Sequence, residues 1–441
     1  MSGHSKRFLH GLLTLVLLLA LMAPGVMAQR TTIVFWHAMS GALGEAVQYL
    51  VDTFNESQDE FFVEAVYRGS YEETMVAAVA ATRAGNPPHI VQVYEVGTRQ
   101  MLDSGVIYPV YQLMADYGID IDWDAFIGPV RGYYEFQGNL YSMPFNSSSP
   151  IMYYNKDAFR AAGLDPEKPP TTWQELEQVC RAILEAGVTR YCFSSNWPSW
   201  IMLENMHAWH DQPFATLSNG FDGLGVELLI NGEFGLMQVS KLAEWHKEGI
   251  YQYGGRGSGA SPMFSNGDVA IFMESSAGIA GFRNTANFDW GTAMLPHWGE
   301  PYEKVNTIIG GATLWAMRGH DDAGNRGIAE FFKFLAQTEN QVWWHKNTGY
   351  VPITVTAMEQ LEAEGYFDEH PEQKTALLQL THAEPRANTR GVRLGTFVQV
   401  RDIIESQLEN IFAGLVSPEQ GLNQAVQQAN QTLREYQMIY E

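Results

Sequence analysis

The residues that most resemble catalytic or metal-binding motifs in this sequence are a histidine pair and a glycine-rich run. His207 and His210 have H-x-x-H spacing, but no third metal ligand lies in register with them. The run from Gly254 to Gly259 lacks the lysine of a phosphate-binding P-loop and is typical of a surface loop. Glu72 and Glu73 are adjacent on a predicted helix, which suits a solvated face. No nucleophile, base and oxyanion-binding group form a motif, so the sequence does not indicate an enzyme.

Aromatic and small polar residues follow several of the predicted strands. Ligands of open α/β sheets bind beyond the carboxyl ends of the strands. Hydroxyls, backbone N–H groups and aromatic faces at such places predict a cleft suited to a polyol. The residues concerned are Tyr71, Tyr94, Glu95, Asn146, Ser147, Ser148, Trp197, Trp200, Ser275, Ser276, Gly310, Gly311 and Tyr350.

The elements that must position these residues alternate between strand and helix. In the first part of the chain, β-branched and apolar runs predict strands over 31–37, 61–67 and 89–94. A helix is predicted over 43–55, and a capping box at Ser70 and Glu73 opens another. This β-α-β-α-β order implies a parallel sheet with right-handed crossovers.

The second part of the chain has the same character. Strands are expected over 151–154, 189–193 and within 264–271, and one amphipathic helix over 326–346. Capping boxes at Thr172 and Ser417 open two further helices. No linker separates the halves, so the sequence favours two α/β lobes joined by several short crossings.

The N-terminus has the pattern of a secretory signal peptide. Lys6 and Arg7 precede an apolar run from Phe8 to Met22, and Val26-Met27-Ala28 supplies a cleavage site before Gln29. The run is shorter than the roughly 20 residues of a membrane span. We therefore expect residues 1–28 to be removed and the mature protein to be free in the periplasm.

Composition and charge narrow the classes of partner. The chain is 46% hydrophobic and 12% aromatic, which predicts a well-packed globular protein. Its formal net charge is −23, and loss of the signal peptide makes it more negative by two. Such acidity argues against nucleic acid and anionic membrane surfaces as partners. An anionic ligand would need a local site that overrides this field.

Cys180 and Cys192 are the two cysteines of the chain. The first lies on a predicted helix and the second on the following strand, so a bridge is geometrically feasible in an oxidising compartment. The sequence leaves open whether they pair or stay reduced.

Several segments resemble the bacterial glycerol-3-phosphate-binding proteins of ABC import systems, which are relatives of the maltose-binding proteins. The resemblance runs from about residue 31 to the C-terminus. Its most specific segments are Tyr94-Glu95-Val96-Gly97, Pro144-Phe145-Asn146-Ser147-Ser148 and Ile308-Ile309-Gly310-Gly311-Ala312. Two segments depart from the family pattern: Asn196 to Ser199 lacks a glycine, and Phe272 to Glu274 replaces small polar residues.

The resemblance implies a set of ligand contacts. Tyr71 and Glu95 are expected to bind glycerol hydroxyls, with Glu95 at the end far from the phosphate. The phosphate is expected among Ser148, Ser275, the Gly311 N–H, Tyr350 and Arg401, while Trp197 and Trp200 wall the cleft and would face a choline group. We expect Glu274 to point outward. We also expect Arg401→Ala to abolish phosphoester binding with little change in melting temperature.

The resemblance also implies a type II periplasmic-binding-protein fold. The predicted lobes are residues 29–146 plus 307–356 and residues 147–306 plus 357–441, with the hinge near Phe145, Asn306 and Pro352. The ligand would bridge both lobes and favour a closed state. The closed protein would then dock on the permease subunits in the inner membrane. We expect a monomer that needs no cofactor or metal.

Three other functions remain as alternatives. A binding protein for maltose or trehalose would keep the fold and the aromatic wall but would not need Arg401 in the cleft. A secreted glycerophosphodiester hydrolase would need a metal cluster or an activated nucleophile. A structural or adhesive protein would need no polar cleft. The sequence does not rank glycerol 3-phosphate against glycerophosphocholine as the ligand.

Overall fold

The computed structural model describes residues 30–441. The predicted signal peptide, residues 1–28, lies outside the described residues. Within 30–441, no helix is both long enough and apolar enough to cross a membrane.

The described residues form thirteen strands, and most of these strands belong to two sheets. The strands are β1 Thr31–His37, β2 Phe61–Tyr67, β3 Ile90–Tyr94, β4 Ile107–Tyr108, β5 Glu135–Phe136, β6 Asn139–Leu140, β7 Met143–Ser148, β8 Pro150–Asn155, β9 Tyr191–Ser195, β10 Tyr251–Tyr253, β11 Val269–Ser275, β12 Trp290–Ala293 and β13 Gly310–Met317. The first sheet has the order β2-β1-β3-β13-β4, with β7 also paired to β13. The second has the order β10-β9-β11-β8-β12, and β5 and β6 form a separate hairpin.

Both sheets are mixed. Strands β1, β2 and β3 are parallel, as the β-α-β-α-β order predicted, whereas β13 runs antiparallel to β3 and β7. In the second sheet β9, β10 and β11 are parallel and β8 is antiparallel to β11. The chain passes from the first sheet to the second at Ser149, between β7 and β8, and returns to the first sheet in β13.

The helices cover the sheets. The helices with regular geometry are labelled α1 to α18 in chain order. They are Gly41–Ser57, Tyr71–Arg83, Thr98–Asp103, Val110–Asp116, Gly128–Tyr134, Lys156–Ala161, Trp173–Glu185, Met206–Trp209, Glu233–Lys247, Ser261–Ser265, Gly278–Thr285, Asp322–Leu335, Thr338–Thr348, Val355–Ala363, Tyr366–Glu369, Thr375–Leu380, Phe397–Phe412 and Pro418–Tyr440. Short 3₁₀ turns are Glu95–Gly97, Trp123–Ala125, Pro371–Gln373 and Ala387–Thr389; Trp200–Asn205 is a π-helix, and Thr216–Gly220 is a helical turn with left-handed residues.

Local signals fixed several of these boundaries. The three capping boxes, at Ser70, Thr172 and Ser417, are all present at the starts of α2, α7 and α18. Each box satisfies N–H groups that the first helical turn leaves free, which typically contributes about 1 kcal/mol.

The single helix predicted over 326–346 is wrong. The chain forms two helices, α12 and α13, separated at Gln337, whose backbone is extended. Asn340 Nδ2 donates to the Phe334 carbonyl (2.7 Å) and Gln341 Nε2 donates to the Leu335 carbonyl (2.6 Å). These side chains satisfy carbonyls at the end of α12, so the break costs little although the apolar pattern continues across it.

The cysteines form a disulfide within the second sheet's core. Cys180 on α7 and Cys192 on β9 are joined, and both are fully buried. The sequence had left this pairing open. The bond fixes the crossover helix α7 against the strand that leads to the cleft.

Candidate functional site

All nine residues predicted to contact the ligand line one cleft, whose volume is about 750 Å³. The cleft lies between the two sheets, where β3, β7, β9 and β11 end. The first sheet and its connections supply Tyr71, Glu95, Ser148, Gly311 and Tyr350, while Trp197, Trp200, Ser275 and Arg401 come from the second sheet's side. Polar residues that follow strands therefore meet in space, as expected for an α/β ligand site.

An ion triad centred on Arg401 forms one part of the cleft. Arg401 on α17 donates from Nε to Glu204 Oε1 (2.8 Å) and from Nη2 to Glu204 Oε2 (2.7 Å). Nη2 also donates to Glu95 Oε1 (2.6 Å). The side chains of Arg401, Glu95 and Glu204 are 12%, 8% and 1% exposed. The triad joins the end of β3 to the π-helix and α17, and it carries one net negative charge.

The triad shifts the pKa values of Glu95 and Arg401. Burial raises the pKa of Glu95, and Arg401 lowers it again only in part. Burial lowers the pKa of Arg401, but Glu204 and Glu95 raise it well above the usual arginine value. Within residues 30–441, Nη1 of Arg401 has no hydrogen-bond partner, while Nε and Nη2 are occupied. Nη1 thus leaves two N–H donors for a ligand.

The structure revises two expectations about these residues. Glu95 was expected far from the phosphate, yet its side chain contacts Arg401, which was expected beside the phosphate. Arg401→Ala was expected to change the melting temperature little, but because it would strand two buried carboxylates we now expect it to lower the melting temperature.

Hydrogen bonds from the first sheet orient the tyrosines. The Ala38 N–H donates to Gln92 Oε1 (2.8 Å), and Gln92 Nε2 donates to Asn146 Oδ1 (2.8 Å). Asn146 Nδ2 in turn donates to the Tyr71 hydroxyl (2.9 Å). In this relay the Tyr71 hydroxyl accepts from Asn146, so its own hydrogen can be donated either to the neighbouring Tyr350 or to a ligand.

Tyr350 lies next to this relay. Burial raises its pKa to about 12, although Asn146 and Tyr71 act to lower it. Its hydroxyl lies near the side chains of Asn146 and Tyr71 and also contacts Met39 Sδ (3.8 Å). Because this hydroxyl stays neutral at physiological pH, it can donate a hydrogen bond to an anionic ligand.

Gly310 and Gly311 are required for different reasons. A Cβ on Gly310 would overlap the ring of Trp200, so the glycine lets this aromatic wall pack flat on β13. Gly311 has φ +89°, and a Cβ there would overlap the carbonyl oxygen of Asn146. The backbone of β13 can therefore approach the cleft at Gly311, as the family resemblance implied.

The aromatic wall is held in a strained conformation. Trp197 has φ +45°, which is unfavourable for a side chain of this size. Its N–H donates to the Gly257 carbonyl (2.8 Å), and Arg256 in the same glycine-rich loop pairs with Glu409 through two hydrogen bonds (2.8 and 2.7 Å). The glycine-rich run is thus a support for Trp197 as well as a surface loop.

The expectation that Glu274 points outward is wrong. Its side chain lines the cleft, and the residue is only 5% exposed. Glu274 Oε1 accepts from the Ser275 N–H (2.6 Å), and Asn196 Nδ2 donates to Oε2. Burial raises the pKa of Glu274 to about 7, against these hydrogen bonds and one from Trp197. This placement occupies the backbone donor of Ser275 and leaves its hydroxyl at the cleft.

Sequence reasoning missed two residues that organise the site, and the role of a third. Glu204 holds Arg401, and Asn196 binds Glu274 and the Ala260 N–H (3.0 Å). Asn146 was expected in the cleft, but the sequence does not show that its side chain orients Tyr71.

The histidine pair has a structural role. His207 Nδ1 and His210 Nδ1 each lie 2.8 Å from the carbonyl oxygen four residues earlier, and His210 Nε2 accepts from the Trp298 N–H (3.0 Å). Burial lowers the pKa of both to about 4. Within residues 30–441, no cluster of side chains suited to a metal ion is found.

Sequence comparisons match most of the chain. The family model for the bacterial extracellular solute-binding proteins matches residues 49–372. The sn-glycerol-3-phosphate-binding periplasmic protein UgpB of Salmonella typhimurium is 43% identical over 427 residues, which cover 96% of this chain and 97% of that protein. The protein of the same name from Escherichia coli K12 is 42% identical over 410 residues, covering 92% and 93%.

Solved structures share the fold. UgpB of Mycobacterium tuberculosis, in complex with glycerophosphocholine, has a TM-score of 0.78 at 22% identity and covers 93% of this chain and 100% of that chain. Maltose-bound MalE3 of T. maritima has a TM-score of 0.75 at 15% identity, covering 90% and 99%. These similarities confirm the two-lobed type II periplasmic-binding-protein fold.

Proposed function

Because the chain belongs to the family of bacterial extracellular solute-binding proteins, we propose that it is the periplasmic binding component of an ABC importer for sn-glycerol 3-phosphate and related glycerophosphodiesters. Its curated relatives carry the former ligand in their names. Solute-binding proteins carry their ligands without transforming them, so the chain is a carrier and not an enzyme.

One observation carries the ligand assignment: Arg401 offers two unused N–H donors on Nη1 to a cleft lined with hydroxyls. Arginine suits phosphate because its planar, permanently charged head can donate several hydrogen bonds. We assign the phosphoester to Arg401 Nη1, Tyr350, the hydroxyls of Ser148 and Ser275, and the Gly311 N–H. A maltose-type ligand would not require the arginine.

The glycerol hydroxyls are assigned to Tyr71 and Glu95. Glu95 keeps one carboxylate oxygen outside its contact with Arg401 and can accept from a hydroxyl. The contact between Glu95 and Arg401 places the polyol and the phosphoester on neighbouring atoms of one polar cluster, which suits a short ligand such as glycerol 3-phosphate.

We propose hinge closure as the mechanism, with lobes of residues 29–146 plus 307–356 and residues 147–306 plus 357–441. Support comes from the strands where the chain changes sheet. Ser149 Oγ and Thr307 Oγ1 are 2.7 Å apart, and Gln379 Nε2 donates to the Pro150 carbonyl (2.6 Å). Such short crossings bound to one another can absorb a rotation between two sheets that remain rigid.

The location and partners follow from this assignment. The named relatives are periplasmic, and a cleaved signal peptide over residues 1–28 would deliver this chain to the same compartment. The loaded protein would act as a monomer and dock on the permease subunits in the inner membrane, without nucleic acid.

The test is isothermal titration calorimetry of the mature protein, refolded to remove bound ligand. Saturable binding of glycerol 3-phosphate or glycerophosphocholine, with no binding of maltose, is the expected result. Binding of maltose alone would overturn the ligand assignment while leaving the fold intact.

A matched pair of variants tests the phosphate contact. Tyr350→Phe should weaken phosphoester binding by about ten- to a hundredfold, because a hydrogen bond to a charged group contributes roughly 1.5–3 kcal/mol. Tyr366→Phe removes a hydroxyl that hydrogen-bonds to the side-chain amide of Gln373 away from the cleft and should leave affinity unchanged. Equal affinities for the two variants would remove Tyr350 from the phosphate site.

A further inference from the structure

Glu274 is a buried carboxylate without a cationic partner, and it faces the ligand cleft. Within residues 30–441 it forms no salt bridge, although it is only 5% exposed. Glu95 and Glu204 are equally buried but share Arg401. Glu405 is also buried and also lacks an ion pair in the described chain, but it does not line the cleft. Glu274 is thus the unpaired buried acid that a ligand can reach.

The environment of Glu274 stabilises a charge only partly. The Ser275 N–H, Asn196 and Trp197 donate to it, yet burial still raises its pKa to about 7. A buried carboxylate without a cation is costly, and a cation that enters beside it offsets this cost. Since the hydrogen bonds fix the carboxylate in place, a ligand cation would meet a preorganised partner.

The charges along the cleft are unevenly placed. Among the lining residues that the structure describes, Arg401 is the single basic one, whereas Glu72, Glu73, Glu95 and Glu274 are acidic. Arg401 is already paired with Glu95 and with Glu204 behind the cleft wall. A ligand with two negative charges meets an excess of acid here. A ligand that combines a phosphate with a cation meets a partner for each charge.

The position of Glu274 fits the far end of such a ligand. Arg401 and Glu95 pair where α17 meets the end of β3. Glu274 lies on a different part of the cleft wall, in β11, where it is bound to Asn196 and the Ser275 N–H and packs against Gly278. The indole of Trp197 and the small residues Ser261 and Gly278 line the cleft near Glu274.

We propose that Glu274, together with the ring of Trp197, binds the cationic ammonium group of a zwitterionic glycerophosphodiester, and so makes the protein prefer such ligands over phosphoesters without a cation. The carboxylate supplies charge and the aromatic face supplies cation–π attraction. This inference rests on the proposed function, because it assumes that the phosphoester occupies the site beside Arg401.

The test compares two diesters that differ in headgroup charge. The mature wild-type protein is titrated calorimetrically with glycerophosphocholine and with glycerophosphoglycerol, whose headgroup is neutral. We expect the choline diester to bind at least about tenfold more tightly, equivalent to about 1.4 kcal/mol. In Glu274→Gln this preference should fall to about threefold or less, through weaker binding of the choline diester.

A matched control distinguishes the loss of Glu274 from the loss of another buried carboxylate. Glu405 is a buried carboxylate that accepts from the Ser199 N–H (2.9 Å), and burial raises its pKa to about 7 as well. The Glu405→Gln variant should retain the wild-type preference for the choline diester. Loss of the preference in both variants, or its persistence in Glu274→Gln, would overturn the role of Glu274.

A second measurement does not depend on a variant that folds. The wild-type preference should shrink between pH 8 and pH 5.5, because Glu274 becomes protonated in this range. Its titratable neighbours Tyr350 and Tyr153 stay neutral, since burial raises the pKa of each. A preference that is constant with pH would refute the inference. If the wild type binds neither diester nor glycerol 3-phosphate, the proposed function itself fails.

Discussion

The clearest quantitative prediction concerns removal of Arg401. Arg401→Ala leaves Glu95 and Glu204, which are 8% and 1% exposed, without the cation that now lies within 2.8 Å of each. Breaking a buried ion pair by removing one partner typically costs about 3–5 kcal/mol. In a protein of this size that corresponds to a fall in melting temperature on the order of 5 °C. Phosphoester binding should be lost as well, because the Nη1 donors disappear.

The pH dependence identifies the cause. Without Arg401 the pKa of the stranded Glu95 carboxyl rises in the folded state, because the cation that lowers it is gone. The folded variant then takes up a proton that the unfolded chain does not hold. Its stability therefore improves relative to the wild type as pH falls. We expect the difference in melting temperature to be largest at pH 8 and to shrink at pH 5, measured by circular dichroism on ligand-free protein.

Two further variants complete this experiment. Arg181→Ala removes an arginine that is 49% exposed and pairs with Glu177 and Glu248. Because solvent screens such surface pairs, the melting temperature of this variant should hardly move. Adding Glu95→Gln and Glu204→Gln to Arg401→Ala should recover much of the lost stability. The reasoning would be refuted if Arg401→Ala melted like the wild type at pH 8.

Three other perturbations test the remaining features. Burial raises the pKa of Glu274 from 4.5 to about 7, so its charge destabilises the fold as pH rises through this range. In urea denaturation of the ligand-free protein, the gain in unfolding free energy from Glu274→Gln should be up to about 3 kcal/mol larger at pH 8 than at pH 4. Equal gains at both pH values would contradict the assignment. Gly311→Ala should cost roughly 2–4 kcal/mol, because φ is +89° and Cβ meets the Asn146 carbonyl; thermal melting and calorimetry should show lower stability and weaker binding, and unchanged values would show that β13 adapts. The Cys180–Cys192 disulfide closes a loop of 12 residues. Its reduction should lower the free energy of unfolding in guanidinium by about 2–3 kcal/mol, while phosphoester affinity stays within twofold. A large loss of affinity would show that the disulfide also maintains the cleft.

The sequence determined the local elements well where signals act within a few residues. The bounds of β1 and β2 agree with the predicted 31–37 and 61–67, because apolar runs between polar turns define a strand locally. Capping boxes marked the starts of α2, α7 and α18 for the same reason. The prediction of one helix over 326–346 was wrong because the apolar pattern continues across the break at Gln337. Side chains of the following helix bind the free carbonyls at the end of α12, and this local contact cannot be read from periodicity.

The candidate site was predicted in its membership but not in its arrangement. The family resemblance named nine residues that come from distant segments, and all nine line one cleft. The partners of these residues were not foreseen. Arg401 was expected to be free for phosphate, yet Glu204 and Glu95 occupy two of its nitrogens. Residue type indicates which groups are capable of binding phosphate, but not which charges stand beside them.

The sequence by itself thus determined the family, the fold class and the chemical groups of the cleft, because these follow from local patterns and from segments matched one by one. The tertiary structure decided the ionisation, orientation and availability of those groups. Glu274 shows the difference: its position in a strand says nothing of its exposure, and only the packing of β11 against Asn196 and Trp197 places its carboxylate in the cleft. Burial and charge pairing depend on residues that are far apart in the chain. They determine the charge and the free hydrogen-bonding groups that the site offers to its ligand.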